Sequence, residues 1–430
     1  MLFLQLDKCI KYQSPRAPPI MAFGPAHMEQ VREISSQIAH TAGRLRPTTT
    51  AGEVLDNHLE LLYGNNGRIC LESIGEPTRL KVATEEVGLA APEFPTATAV
   101  DSGTVDPIQF KNGLVVSFSH AAMAATPTDI DLHRSRTMIA TVHTTDRTVD
   151  YSTDWRVFDD GHGRWRIVQT PRAPGAAAEL AHELALSLAE TGHTLEHASA
   201  IDDLLIQDGP IYPRHLLPRE SPTSGDSARA TRLPRQAVRD AVRLVEQLAR
   251  RNIPVVGFVK NPESRRIVRA LEAAGVTGGW QTDAGFFTDL LAPDPQRGRR
   301  PTDILTFSSW FRIRAGPDGT MTAPGTNLDM ERRLALSDYE VTFFVIYDPR
   351  MDLLYRVEAP YCVSKDPVLR ERIQLQVLRS VATECGPPGV VGKADSLARI
   401  SNAVRDDLTR RLARQFDTSI LRSYDETRWG

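Results

Sequence analysis

Two aspartates stand where short apolar segments end. Asp101 follows "TATAV" and Asp208 follows "LLIQ". If both segments are strands of one sheet, both carboxylates can project from the same sheet edge. The helix-like segment "AAAELAHELALSLAETG" between them carries Glu179, Glu183 and Glu190, which share one face. Converging carboxylates could hold one or two Mn²⁺ or Mg²⁺ ions, because these hard cations prefer oxygen ligands. Such ions promote phosphodiester hydrolysis.

The segment Asp101-Ser102-Gly103-Thr104 also suits two other enzyme classes. An aspartic protease needs a second Asp-Ser/Thr-Gly, since two carboxylates share one proton. The nearest candidate, "TDAGF" at Asp283, has Ala where Ser or Thr belongs. An actin-like ATPase needs further phosphate and adenosine loops, for which "IQDGPI" and "GVTGG" are weak matches. A metal-dependent nuclease is therefore favoured, the ATPase stays an alternative, and Ser102 and Gly103 are expected to be turn residues.

The segments around these residues predict an α/β fold. Strands are predicted for "GLVVSFSHAAMAA", "RTMIATVHTT", "RWRIVQT" and "IPVVGFVK", and a hairpin for "VTFFVIYDPRMDLLYRVEAP". Helices are predicted for "RQAVRDAVRLVEQLARRN", "PESRRIVRALEAAG" and most of the chain after the hairpin. Strands followed by alternating strands and helices indicate a mixed sheet flanked by helices.

The chain divides into three expected parts. Residues 1–25 are expected to be a disordered extension, and 26–92 an N-terminal helical region that begins with the amphipathic "AHMEQVREISSQIAH". Residues 93–430 are expected to form the catalytic domain, with a mobile loop at about 213–235 that is rich in Pro, Ser, Gly and Arg.

Composition narrows the class of protein. The 430 residues are 41% hydrophobic and 24% charged with a net charge of −3, which describes a soluble globular protein and not a polycation. The four cysteines form no CxxC pair, so a disulfide framework is not expected and a reducing cytoplasm is. No apolar run reaches the roughly 18 residues of a membrane span. None of the eleven histidines is expected to bind metal.

Several segments, in order, together resemble the NurA family of DNA-repair nucleases. They are "AVDSGT", "AAELAHELALSLAE", "LLIQDGPI", "IPVVGFVKN", "YRVEAP" and "CGPPGVVGKADSLARIS". The resemblance covers roughly residue 96 to the C-terminus. The first motif keeps Asp101 but swaps the two residues after it, and Pro387 replaces the aromatic residue expected after Gly386.

The resemblance implies a ribonuclease H-like fold and a metal site. Its Mn²⁺ or Mg²⁺ ligands would be Asp101, Asp208, a helical glutamate and Asp395. Among the helical glutamates Glu183 is preferred to Glu179, with Glu190 third. The resemblance also implies that Lys260 lies near a phosphate.

Arg356 and Glu358 lie two residues apart on one strand face, so they can form a structural ion pair or contact substrate.

The activity implied by the resemblance is 5′-to-3′ exonuclease and single-strand endonuclease action on DNA in double-strand break end resection. The implied partners are DNA, a HerA-type hexameric ATPase translocase and a second copy of the chain. A non-catalytic ribonuclease H-like adaptor that binds DNA or a translocase is the alternative.

Overall fold

The computed structural model describes residues 24–42, 49–64, 67–144, 149–170, 176–217, 226–293, 302–314 and 330–421. The chain forms two compact units, Met1–Thr48 and Thr49–Gly430. In the first unit the helix α1 (Pro25–Ala42) exposes an apolar row at steps of three and four, as predicted. The row comprises Met28, Val31, Ile34 and Ile38. The predicted disordered extension lies outside the described residues up to position 23.

The strands described in the second unit belong to one mixed sheet. They are β1 (Leu61–Tyr63), β2 (Ile69–Ser73), β3 (Arg79–Ala83), β4 (Ala97–Gln109), β5 (Val115–Thr126), β6 (Arg136–His143), β7 (Arg156–Val157), β8 (Gly163–Gln169), β9 (Leu205–Asp208), β10 (Val255–Val259), β11 (Ile304–Ser308), β12 (Phe311–Ile313), β13 (Val341–Asp348) and β14 (Leu353–Pro360).

The helices of this unit cover the sheet and its ends. They are α2 (Ala51–His58), α3 (Thr84–Leu89), α4 (Ile130–Arg134), α5 (Ala176–Glu196), α6 (Asp226–Ala249), α7 (Arg266–Ala273), α8 (Asp283–Leu291), α9 (Tyr361–Ser364), α10 (Pro367–Glu384), α11 (Gly389–Ala398) and α12 (Asn402–Gln415).

Local sequence sets several helix ends. Thr50 and Glu53 form a capping box at the start of α2, each side chain bonded to the other's backbone N–H. Asp366 accepts a hydrogen bond from the Val368 N–H, and Pro367 occupies the first helical position of α10, where its missing N–H costs nothing.

The sheet has the order β1-β2-β12-β13-β14-β10-β9-β4-β5-β6-β8-β7, with β11 pairing with β13 and β3. Strand β9 lies between β4 and β10 and is parallel to both. Its adjacent residues Leu205 and Ile206 are both fully buried but belong to the cores on opposite faces. A strand covered on both faces requires an apolar run without alternation, which explains "LLI".

Two layers of helix enclose the sheet. Helices α5 and α6 contribute to the core on one face, through residues such as Leu188 and Val242. Helices α10 and α11 contribute to the core on the other face, through residues such as Val381 and Ala394. The predicted mixed sheet flanked by helices is confirmed.

Two expectations about domain organisation are corrected. The region 26–92 is not wholly helical, because β1, β2 and β3 lie in it. The boundary expected at 92/93 falls inside the second unit, since β2 pairs with β12 and β3 with β11. Neither short strand has a local pattern that reveals a partner more than 200 residues away.

The expected loop and the end of α5 are also corrected. Helix α6 already begins at Asp226, inside the predicted loop, while 218–225 lie outside the described residues. Helix α5 does not end at Gly192 but continues to Glu196. The side chains of His193 and Thr194 are fully buried there, and this packing offsets the roughly 1 kcal/mol that a helical glycine costs.

Candidate metal centre

Asp101 and Asp208 lie side by side on neighbouring parallel strands. Val100 of β4 is paired with Gln207 of β9, so the next residue on each strand is an aspartate. Because side chains alternate along a strand, both aspartates face the side on which the buried Ala99 and Ile206 pack. The structure therefore brings the two predicted aspartates together at the carboxyl end of β9.

Lys260 contacts one of these carboxylates. It follows directly after β10, and its Nζ donates a hydrogen bond to Asp208 Oδ2 at 2.5 Å. Both side chains keep partial solvent access, 36% for Lys260 and 19% for Asp208. The lysine thus adds a positive charge beside the carboxylates, at a position open to a ligand.

Asp395 approaches from the helix layer on the same face. It is exposed on α11, and its negative charge helps to raise the pKa of Asp101. It lies within the helix, between its ends at Gly389 and Ala398. Four of the predicted site residues, Asp101, Asp208, Lys260 and Asp395, are therefore close in space.

Gly103 allows α11 to approach β4 this closely. A Cβ atom at Gly103 would lie only 1.8 Å from the backbone oxygen of Ala398. Ser102 and Gly103 are both inside β4, which corrects the expectation that they form a turn. The small residue is needed for helix packing next to Asp101, not for chain reversal.

A helical glutamate reaches the centre from the opposite face of the sheet. The Ser102 hydroxyl donates to Glu190 Oε1 of α5, and the Glu190 carboxylate interacts electrostatically with Asp101 and Asp208. Glu183 is exposed and lies 3.5 Å from His215 Nε2. It is seven residues, about 10.5 Å along the helix, before Glu190. The structure therefore places Glu190, and not the preferred Glu183, beside the two aspartates.

The third helical candidate, Glu179, has a side chain outside the described residues. Spacing along the sequence could not choose among the three glutamates, because they share one helix face. The hydrogen bond from Ser102 distinguishes Glu190 from Glu183, which lies beside His215.

The surroundings of Asp101 and Glu190 disfavour the ionised form of these two side chains. Burial, followed by the nearby charges of Asp208 and Asp395, raises the pKa of Asp101 to about 6, although the Ser102 N–H and Lys260 act in the opposite direction. Burial raises the pKa of Glu190 to about 8, helped by the charges of Asp101 and Asp208 and opposed by the Ser102 hydroxyl. A bound cation would stabilise the ionised form of both side chains and so lower their pKa values.

The donor set fits a hard divalent cation, since it consists of carboxylate oxygens with some solvent access. No three of these carboxylates bring oxygens within 4.8 Å of one another in the described structure. Side-chain rotation is therefore needed for joint coordination. The Lys260 ammonium already contacts one side of Asp208.

A model of the NurA domain family matches residues 95–400, which is more than half of the chain and spans β4 to α11. The chain belongs to the NurA family. The match includes Asp101, Glu190, Asp208, Lys260 and Asp395.

Comparisons with solved structures and with curated proteins gave the following results. The chain is similar to the crystal structure of the NurA nuclease from Sulfolobus solfataricus, with 13% identity, a TM-score of 0.48 and coverage of 92% of this chain and 98% of that one. It is also similar to a crystal structure of NurA bound to dAMP and manganese, with 10% identity, a TM-score of 0.42 and coverage of 79% and 91%. No curated protein matches the chain.

The NurA-like motif "YRVEAP" holds the loop after Asp208 in place. Arg356 and Glu358 form an ion pair of 2.8 Å, and Arg356 lies over the Phe343 ring, so the structural interpretation of this pair is confirmed. Glu358 Oε2 also accepts a hydrogen bond of 3.2 Å from the Ile211 N–H. The pair thus anchors the chain three residues beyond Asp208.

Asp283, the second aspartate that an aspartic protease would need, has a different role. The Asp283 carboxylate accepts hydrogen bonds of 3.0 Å from the backbone N–H groups of Arg266, Ile267 and Val268. It caps the start of α7, where a negative charge is favourable. Asp283 is therefore engaged in a helix cap and not in a pair with Asp101.

Sequence reasoning missed a group of possible ligands within the NurA domain. His193, Glu196 and His197 offer ligand atoms within 4.8 Å of one another. The spacing H-x-x-E-H places all three on one helix face and was the available signal. A helix that ended at Gly192, as predicted, would not place these three residues on one helical face.

None of the helices in the described part of the chain is both long and apolar enough to cross a bilayer.

Proposed function

We propose that this protein is a metal-dependent DNA nuclease. The observation that carries the proposal is the position of Asp101 and Asp208 on adjacent strands, with Glu190 and Asp395 reaching them from opposite faces of the sheet. Membership of the NurA family supports the choice of nucleic acid as substrate.

The four carboxylates would hold one or two Mn²⁺ or Mg²⁺ ions, since their oxygens match the preference of these ions. When bound, such an ion activates water and stabilises negative charge on the phosphate. Binding requires Asp101 and Glu190 to be deprotonated, so the protein must release protons as the ion enters.

Lys260 would act on the phosphate. Its ammonium is partly exposed and bonded to Asp208. If a cation takes over the Asp208 carboxylate, the ammonium is free to turn to a non-bridging phosphate oxygen. There it would neutralise charge that develops during cleavage.

The finer activity follows from the family resemblance. We propose 5′-to-3′ exonuclease and single-strand endonuclease action, performed in the cytoplasm by a homodimer together with a HerA-type translocase during end resection. DNA labelled at either the 5′ or the 3′ end tests the polarity. Light scattering tests the dimer, and co-elution with a HerA-type translocase tests the partnership. A monomer that never co-elutes would contradict these two assignments.

The central experiment compares the wild type with Asp208→Asn on single-stranded and double-stranded DNA, with Mn²⁺, with Mg²⁺ and with chelator. We expect cleavage by the wild type that depends on the ion, and a loss of at least roughly 100-fold in the variant, as for removal of a preorganised charged group. Circular dichroism checks that the variant folds. Equal cleavage by both proteins would refute the site, and no cleavage by the wild type with any ion would favour a non-catalytic adaptor.

A further inference from the structure

Helix α5 crosses a row of four paired residues on adjacent strands. Ser102, Ala121, Thr137 and Arg164 are in register on β4, β5, β6 and β8. The helix contacts this row in order along its own sequence, because Glu190 bonds to Ser102, His193 to Thr137, and Glu196 to Arg164. The same helix therefore presents polar side chains at two places. They are two strands, about 10 Å, apart.

The second place combines three ligand-type side chains. His193, Glu196 and His197 lie at positions i, i+3 and i+4, and one atom from each lies within 4.8 Å of the others. His193 is fully buried, Glu196 is partly accessible, and His197 is half-buried. A small ion can therefore reach the group from the Glu196 side.

Hydrogen bonding indicates which nitrogen of His193 is free. The Thr137 hydroxyl lies 3.0 Å from His193 Nδ1 and donates to Glu196 Oε2 at 3.5 Å. With its hydrogen directed to the carboxylate, Thr137 accepts from the Nδ1–H. The buried His193 Nε2, which has no hydrogen-bond partner, then carries a lone pair. A histidine whose other nitrogen donates to an oxygen is the usual arrangement of a metal ligand.

Positively charged side chains near Glu196 would compete with a bound cation for its carboxylate. Arg164 Nε lies 2.7 Å from Glu196 Oε2, but its N–H makes no aligned hydrogen bond. Arg164 is also held elsewhere, by a bond of 2.8 Å to the Gly192 carbonyl and by the Trp155 ring. Arg136 donates to the backbone carbonyls of His133 and Ser135. A cation would have to share Glu196 with Arg164 but would not leave that arginine without partners.

We propose that His193, Glu196 and His197 form a second cation site, separate from the carboxylate centre, for a divalent transition metal of the Zn²⁺ class. Two imidazoles and one carboxylate suit Zn²⁺ better than the all-oxygen centre does. The site lies at the C-terminal end of α5 and beside β6 and β8, so a bound ion would join this end of the helix to the sheet.

The test titrates chelator-treated full-length protein with Zn²⁺, measured by calorimetry and by the rise in melting temperature. His197→Gln and Glu196→Gln remove ligands that are not fully buried. His215→Gln removes an exposed histidine elsewhere, and Asp208→Asn removes a ligand of the carboxylate centre. With excess Mn²⁺ added to fill the carboxylate centre, we expect one Zn²⁺ site in the wild type, kept in the last two variants. In the first two its affinity should fall more than tenfold, since even outer-shell partners cost about 10–100-fold.

Two results would overturn this proposal. One is a wild type that binds no Zn²⁺ in the presence of excess Mn²⁺, which occupies the carboxylate centre. The other is binding that disappears in Asp208→Asn and persists in His197→Gln. Because the readout is metal binding and not cleavage, the nuclease assignment can fail while this site stands, or the reverse.

Discussion

The Ser102 hydroxyl donates a hydrogen bond to the Glu190 carboxylate across the face of β4. Asp101, one residue earlier on the strand, points to the other face. Strand β4 thus joins the two sides of the candidate centre. Asp101 points to one face, and the next residue, Ser102, binds the helical Glu190 on the other face.

The first prediction concerns the helical glutamates. Glu190→Gln should reduce cleavage by roughly 10- to 100-fold or more, since it removes a charged ligand next to Asp101. Glu183→Gln is the matched comparison, because Glu183 lies on the same helix but is exposed beside His215. We expect it to retain near-normal activity. Rates measured with Mn²⁺ over a range of concentrations check both; a larger defect in Glu183→Gln would reverse the assignment.

The second prediction concerns the pH dependence of metal binding. The pKa of Asp101 is raised to about 6 and that of Glu190 to about 8, so both hold protons more tightly than usual. Mn²⁺ affinity should therefore increase as pH rises from about 5 to 9, with proton release on binding. Calorimetry in buffers of different ionisation enthalpy measures that release. Affinity independent of pH over this range would contradict the arrangement.

The third prediction is the effect of the same groups on stability without metal. Both pKa values are higher in the folded than in the unfolded chain, so the folded state binds the protons more tightly. Their contribution to the free energy of unfolding is greatest in acid and is lost as pH rises through about 6 and then about 8. In Glu190→Gln the loss near pH 8 should be absent. Urea unfolding of chelator-treated protein at several pH values measures this, and identical pH profiles would refute it.

The fourth prediction separates two roles of Lys260. Lys260→Gln should slow cleavage by on the order of 100-fold, the typical cost of removing a preorganised charge. Mn²⁺ binding should become tighter, because the ammonium no longer competes for Asp208. Lys365→Gln, which breaks the partly exposed pair of Lys365 with Asp338, is the control and should change neither value. Weaker Mn²⁺ binding in Lys260→Gln would show that the lysine instead organises the site.

The fifth prediction tests the packing of α11 on β4. Gly103→Ala places a methyl group against the Ala398 backbone oxygen, so it should cost about 1–3 kcal/mol and displace Asp395. Gly52→Ala, where the added atom meets nothing within 4 Å, should be neutral or stabilising by about 0.4–1 kcal/mol. Thermal unfolding measures both changes. Equal stability of the two variants would mean that α11 does not need this contact.

The sequence by itself determined the local features of the site. The apolar runs before Asp101 and Asp208 predicted strands, and the later strand identified Lys260, because burial on both faces demands uninterrupted apolar residues. The order of the motifs predicted the family. None of these signals required knowledge of distant contacts.

Only the tertiary structure decided which side chains meet. Glu179, Glu183 and Glu190 are equivalent by helical period, and the crossing of α5 over β4 brings Glu190 to Ser102. Gly103 is interpreted as a turn residue from local propensity, yet the approach of α11 gives it a packing role. The partners in these contacts lie roughly 90 to 300 residues apart in the chain. Local patterns report burial and backbone preference but do not specify such pairs.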